Sequence, residues 1–439
     1  MSTNMSGIYS SFPKNLTAVN VQLDLKSKFM TLSKSIPWED FAKIANEERE
    51  KNVNIENGRP LNLRLHLGAY IAQHTEGWTD RTIEDMIQHH AGVRVLCGVE
   101  KDQTTIDRTN ILRFRNQLGP LGAEKMNHLL IQFATIKEFT GSDICSSDTT
   151  VQEAPIAHPT EVGHLKNIGD ALLKIGKNIK KGISEKLSGL RQEAMEIFTE
   201  IRLFARGTKE KTIEKKKKLS LKLHKIITNM LKIVEENMKG MSAKSKEKYQ
   251  SQMTSFRKMT NQIKVWIKTG KHSSGKIISL WLETARAITK EKASKSTEFG
   301  RRWIITRVMN GYAIGGPCQK LGGDSDQNIA DEVLMRFLNC FGDVPKKFIY
   351  DRGGDGQNNH DFLKNIGVKN VLIFRKGKEK MEAGKITYNL AKRERALSEA
   401  SIAILKNGKY DFNKPRAKSA ETCITKGHLA IFGANLTKI

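Results

Sequence analysis

The spacing of apolar positions along this chain changes period repeatedly, and each change marks a different kind of element. Residues 1–36 are rich in Ser, Asn and Thr, show no sustained period and read as an irregular segment. From Pro37 a helical texture begins, with a short amphipathic stretch to about Ala45 and a loop at Asn57-Gly58. Leu63, Leu67 and Ile71 share one helical face, which predicts a helix over Leu61–His74 ending at Gly77. Thr79 is placed to cap a helix over Asp80–His90, whose early acids suit a helix N-terminus. Two more helices are expected over Thr105–Leu118 and Ala123–Phe139, separated by Gly119-Pro120. Residues 37–140 thus read as a compact all-α domain. The pattern admits helix–turn–helix geometry around Leu67–Gly92, with Arg108, Arg113 and Arg115 facing phosphates. The alternative is that these helices simply pack on one another.

From Asp143 the composition becomes that of a strand, Ile144–Val151, and a Pro-punctuated turn follows at Ala154–Thr160. From about Glu161 to Thr269 the chain is free of proline and returns to helical spacing (Leu219, Leu223, Ile226, Ile227, Met230, Leu231, Val234), with turns expected at Gly207, Gly240 and Gly270. Beyond it, Lys276–Trp281, Phe299–Val308 and Tyr312–Cys318 read as strands, with Asn310-Gly311 as a hairpin turn. A helix over Ser325–Cys340, a strand Lys347–Tyr350, a helix Asn358–Ile366, a strand Asn370–Phe374 and a helix Thr387–Lys406 complete the order. The expected fold is mixed α/β. Its first part is 141–160, a helical basic insertion occupies 161–275, and the rest, with a C-terminal helix, fills 276–439.

Charge sharpens this division. The chain of 439 residues has 74 Lys+Arg, 47 Asp+Glu and a net charge of +27, which calls for a polyanionic partner. Residues 1–140 are nearly balanced, with 17 basic and 16 acidic side chains, whereas residues 165–271 hold 27 against 10. A lysine run such as Lys215, Lys216, Lys217 and Lys218 is often only a solvated face. So large an excess favours contact with a DNA backbone. Five cysteines stand singly, as expected in a reducing compartment, and no apolar run of membrane-spanning length occurs.

Three acids carry the candidate chemistry. Asp148 is inside the first strand, Asp351 closes another, and Glu399 is on a helix. Carboxylates from strand, strand and helix can hold two hard cations that activate an attacking oxygen and stabilise a leaving one. Arg395 and Lys406 fall on the same helical stripe as Glu399, where they can contact phosphates. Asp355 rivals Asp351, and Asp143 rivals Asp148. No phosphate loop of the Gly-x-x-x-x-Gly-Lys-Ser/Thr type exists, which argues against ATP hydrolysis. The segment Gly322–Asp326 resembles part of a calcium loop but lacks the closing glutamate, and it reads as a turn.

Several segments together resemble the DDE transposases of bacterial insertion sequences: Asp148-Thr-Thr-Val-Gln-Glu-Ala-Pro-Ile, His158-Pro-Thr-Glu-Val-Gly, Ile278–Gly300, Asp351-Arg-Gly-Gly and the terminal Gly427–Ile439. The family's Tyr-x2-Arg-x3-Glu-x6-Lys signature is matched by Arg395, Glu399 and Lys406, but Lys392 replaces the tyrosine and the nearest tyrosine is Tyr388. A second departure is the insertion, which follows the first strand. The resemblance implies a ribonuclease-H-like catalytic domain using two Mg2+ ions, for which Mn2+ can substitute. It also implies nicking at element ends and 3′-hydroxyl attack on target DNA. The partners would be double-stranded DNA and a second copy of the chain in the end-paired complex, with no membrane and a cytoplasmic, nucleoid-associated location. The alternatives are a ribonuclease-H-like nuclease that does not join strands and a decayed basic DNA-binding protein.

Overall fold

A computed structural model describes residues 26–52, 61–99, 106–179, 181–204, 207–273, 275–282, 284–289, 297–319, 329–374 and 379–439. They divide into two compact units, one within residues 1–155 and 301–439, the other within 156–300.

The first unit begins with six helices: α1 (Lys28–Ser35), α2 (Trp38–Asn52), α3 (Leu63–Glu76), α4 (Asp80–His89), α5 (Ala91–Cys97) and α6 (Arg108–Ile136). Helix α1 lies in a stretch expected to be irregular. Its Phe29 and Leu32 join the apolar core of this bundle despite their polar neighbours. Gly77 ends α3 with φ 69°, and the Thr79 hydroxyl accepts from the Thr82 N–H at the start of α4, both as the sequence predicts. Gly119-Pro120 breaks α6 into two helical stretches as the sequence predicts, with Gly119 out of helical conformation at φ 61° and ψ −168°. Proline is tolerated there because it opens a new helical turn, where its missing N–H has no partner to lose.

Strand β1 (Ile144–Glu153) follows, and the chain then enters the second unit. There α7 (Glu161–Lys177), α8 (Lys181–Leu203), α9 (Glu210–Met238) and α10 (Ala243–Thr269) enclose an apolar core that includes Leu165, Leu172, Leu223, Ile227, Met230 and Phe256. The break between α7 and α8 at Asn178 was not signalled by glycine or proline. Strand β2 (Arg286–Thr289) pairs antiparallel with the first residues of β3 (Thr297–Arg307), from Arg286 opposite Gly300 to Thr289 opposite Thr297. Lys276–Trp281, expected as a strand, is not one. The Ser279 hydroxyl accepts from the Trp281 and Leu282 N–H groups, at 3.2 Å each, taking donors that a ladder needs.

Back in the first unit the chain forms β4 (Ala313–Pro317), α11 (Ala330–Phe341), β5 (Lys347–Ile349), α12 (Gln357–Ile366), β6 (Asn370–Leu372), α13 (Glu379–Lys406) and α14 (Ala420–Leu436). The β3–β4 hairpin turns at Asn310 (φ 56°) and Gly311 (φ 80°), as predicted. The Gly322–Asp326 turn lies outside the described residues. Strands run in the order β4, β3, β1, β5, β6, with β1, β5 and β6 parallel and β3–β4 antiparallel. The unit is therefore a small mixed sheet with a helical N-terminal region.

Alternation along the strands splits the sheet's two faces. Cys145, Phe348 and Tyr350 meet Val333, Leu334 and Phe337 of α11, while Ile349 packs against Ala391 of α13. Helix α14 is buried along most of its length. Its Leu429, Phe432 and Leu436 join the N-terminal helices, and its Ala430, Ile431 and Ala434 join Trp303 and Ile305 of β3. Gly427 allows that approach, since a Cβ there would stand 2.2 Å from the Trp303 ring.

Candidate active site

The parallel pairing of β1 with β5 sets Ile144 opposite Lys347, Cys145 opposite Phe348 and Ser146 opposite Ile349. The same offset, continued two residues past the last paired position, sets Asp148 opposite Asp351. Side chains two residues apart on a strand share a face. Asp148 therefore shares the face of Ser146, and Asp351 that of Ile349, which is the face covered by α13.

Helix α13 is fixed to this face by polar contacts. The hydroxyls of Ser398 and Ser146 are 2.8 Å apart, and both side chains are buried. Glu394, also buried, forms an ion pair with Arg307 at the end of β3. At the next residue of the same helix, the Arg395 guanidinium pairs with the Asp351 carboxylate. Glu399 follows Ser398, is exposed, and makes no hydrogen bond or ion pair among the described residues. Lys406 is half-buried at the end of the helix. The ring of Tyr388 is 6.4 Å from that of Phe374, and Lys392 is exposed.

Backbone donors orient the two aspartates. The Thr149 N–H donates to Asp148 Oδ1 at 2.7 Å, and the Arg352 N–H donates to Asp351 Oδ1 at 2.8 Å. The rivals are committed elsewhere. Asp355 holds His360 Nε2 at 3.0 Å, and Asp143 holds Lys346 Nζ at 3.0 Å.

A hard divalent cation suits this donor set, because all three candidates are carboxylates and two stand across neighbouring strands. Among the described residues no three His, Cys, Asp or Glu side chains are gathered closely enough to hold a metal ion. Donor chemistry fits the ion, but the three side chains are not gathered: Asp351 is paired with the Arg395 guanidinium, and Glu399 is exposed.

The lysine run on α9 is divided. Lys215 pairs with Glu200 at 2.9 Å and lies 4.3 Å from the centre of the Phe204 ring. Lys216 donates to the Gly207 carbonyl at 2.9 Å. Lys217 and Lys218 are exposed and have no partner among the described residues. In the N-terminal helices Arg108 and Arg113 are exposed, but Arg115 does not face solvent. It is 4% exposed and holds both oxygens of Asp80 at 2.7 and 3.0 Å, a fold contact rather than a free phosphate donor. The Ser146–Ser398 and Arg307–Glu394 contacts were not anticipated. Serines and a buried acid on a helix carry no signal until the strand beneath them is known.

Residues 20–117 match a family model described as a transposase domain (DUF772), which supports a transposase role. The matched region ends before β1, so the three acids lie outside it. No curated protein and no solved structure matches the chain. Among the described residues no helix is long and apolar enough to cross a membrane.

Proposed function

We propose that this chain is a DDE-type transposase. It cuts DNA at the ends of a mobile element and joins the freed 3′-hydroxyl to target DNA, with Asp148, Asp351 and Glu399 as the catalytic carboxylates. The observation that carries the reading is the parallel register of β1 and β5, paired to Ser146 and Ile349 two residues before Asp148 and Asp351, together with the Ser146–Ser398 contact that lays the helix of Glu399 on the same face. The strand order, with an antiparallel hairpin on one side of β1 and parallel strands on the other, supports a ribonuclease-H-like core. The transposase-domain match at residues 20–117 favours transposition over general nuclease activity.

When bound by these carboxylates, a pair of Mg2+ ions (or Mn2+) supplies Lewis-acid stabilisation of the attacking and leaving oxygens of a phosphodiester. The chain's own residues do the positioning. The N–H groups of Thr149 and Arg352 hold the two aspartates on the sheet, and Ser398 fixes the helical turn that presents Glu399. Arg395 neutralises Asp351 and is placed to pass to a DNA phosphate, with Lys406 further along the same stripe. The α7–α10 unit, through Lys217 and Lys218, would hold flanking duplex. Pairing of two element ends would bring two copies together.

A strand-transfer assay with labelled element ends and a plasmid target tests this reading. Joined product is expected from the native chain in Mg2+, and neither cleavage nor joining from Asp148→Ala, Asp351→Asn or Glu399→Gln. Cleavage without joining would identify a plain nuclease. DNA binding with neither step would identify a non-catalytic DNA-binding protein.

A further inference from the structure

At the far end of α13 the first unit contains a cleft of about 690 Å³ between the α3–α4 corner and the segment 408–429. Arg81, Arg108, Arg115, Lys409, Arg416 and Lys426 line it, against two acids, Asp80 and Asp411. The acids are already committed, Asp80 to Arg115 and Asp411 to Lys426 at 3.2 Å. Arg81, Arg108, Lys409 and Arg416 are exposed, and the charged ends of their side chains have no carboxylate partner among the described residues; only the backbone N–H groups of Arg108 and Arg416 meet one, on Glu84 at 3.3 Å and on Asp411 at 3.4 Å. The cleft thus has four uncompensated cations at its mouth and two paired ones within.

The walls are held rigidly. Gly77 abuts the turn at Lys409 so closely that a Cβ would stand 2.0 Å from the Lys409 carbonyl oxygen. Likewise a Cβ on Gly433 would stand 2.2 Å from the His74 carbonyl oxygen. His74 also lines the cleft; it is 9% exposed, and its Nε2 has no hydrogen-bond partner. Burial, then the charges of Lys426 and Arg115, hold that imidazole well below its ordinary pKa. Burial lowers the Lys426 ammonium too, and the neighbouring Arg115 charge adds to the effect. An incoming anion would offset the part of each shift that comes from the neighbouring cations.

From the geometry we infer that this cleft binds backbone phosphates of the DNA strand whose scissile phosphate is at the carboxylates, a reading that rests on the proposed function. Glu399 is seven residues before the end of α13 at Lys406, a rise of roughly 10 Å along the helix, and Lys409 follows in the short turn beyond it. That rise corresponds to about three nucleotides at ~3.4 Å each. Trp78 and Tyr410 in the lining add flat apolar surface for a base or sugar, which a site for bare phosphate does not need.

The test is fluorescence anisotropy of labelled duplex DNA with the full chain across a salt series, comparing it with Arg81→Gln/Arg108→Gln/Arg416→Gln. Circular dichroism confirms that the variant is folded. The expected result is a loss of affinity of at least tenfold and a salt slope shallower by about 2–3, near 0.9 for each phosphate released. Unchanged affinity and slope would overturn the inference. The acids would still be required for cleavage in that case, so the proposed function would stand. If instead millimolar inorganic phosphate bound the native chain, failed to bind the variant and did not displace DNA, the cleft would be a free-phosphate site and the DNA assignment would fall.

Discussion

Ser398 on α13 and Ser146 on β1 join hydroxyls at 2.8 Å, and Ser398 also reaches the Ser146 carbonyl at 3.2 Å. Two small polar residues thereby set how closely the helix approaches the sheet, and the helix carries Glu399 beside that contact. Ser398→Leu would overfill a site that is 3% exposed, at a cost of about 1–3 kcal/mol. It would also move Glu399 away from the aspartates. We expect a modest fall in thermal stability with a disproportionate loss of DNA cleavage, while Ser398→Ala, losing about 1 kcal/mol of hydrogen bonding, keeps most activity. Equal activity in Ser398→Leu and the native chain would show that this spacing does not govern the site.

Asp351 is balanced by Arg395 alone among the described cations of α13. Asp351→Asn removes one negative charge from the proposed DNA site and leaves Arg395 without its Asp351 partner. DNA affinity should hold or rise while cleavage disappears, as anisotropy and a nicking assay on the same preparation would show. A large fall in affinity would assign Asp351 a binding or folding role.

The two halves of the lysine run should behave differently. Lys215 and Lys216 are tied to Glu200 and the Gly207 carbonyl, whereas Lys217 and Lys218 are not. Reversing Lys217 and Lys218 to Glu should flatten the salt dependence of DNA binding by about 2, near 0.9 per phosphate contact. An unaltered slope would mean that this face of α9 is merely solvated.

Acid should destabilise the first unit through its buried histidines. Burial, then the Arg336 charge, holds His128 down to about 4; burial, then Arg336, His128 and Arg301, holds His428 down to about 3. The unfolded chain takes up protons on both rings near the ordinary imidazole pKa of about 6.5, so stability rises with pH across this range. Their contribution is complete above about 6.5 and is lost as pH falls through about 4 and then about 3. Urea unfolding at pH 7, 5.5 and 4.5 should show a falling midpoint, and His128→Gln should lessen the fall. An identical pH dependence in the variant would remove His128 from the account.

Much of this fold is legible from local chemistry. Gly77 and the Asn310-Gly311 turn act through their own backbone, and Thr79 through a hydroxyl that accepts from an N–H three residues on, so their sequence signals survive folding unchanged. The apolar spacing of α9 likewise reports directly on which face is covered. What escaped depends on tertiary partners. Lys276–Trp281 has strand composition, but Ser279 turns its backbone aside. Helix α1 exists because Phe29 and Leu32 find a core supplied by α3 and α5. The acids could be picked out one by one, but the register that sets Asp148 across from Asp351 is a property of two strands some two hundred residues apart. Arg395 was placed on the right stripe of its helix; that it holds Asp351 could be seen only once the sheet was assembled.

Electron paramagnetic resonance of Mn2+ titrated into the DNA-bound chain asks most directly whether one strand pair and one helix make a common cation site. Two ions per chain are expected, with each of Asp148→Ala, Asp351→Ala and Glu399→Ala losing at least one while DNA stays bound. Full occupancy in all three variants, or no bound Mn2+ in the native complex, would contradict the account.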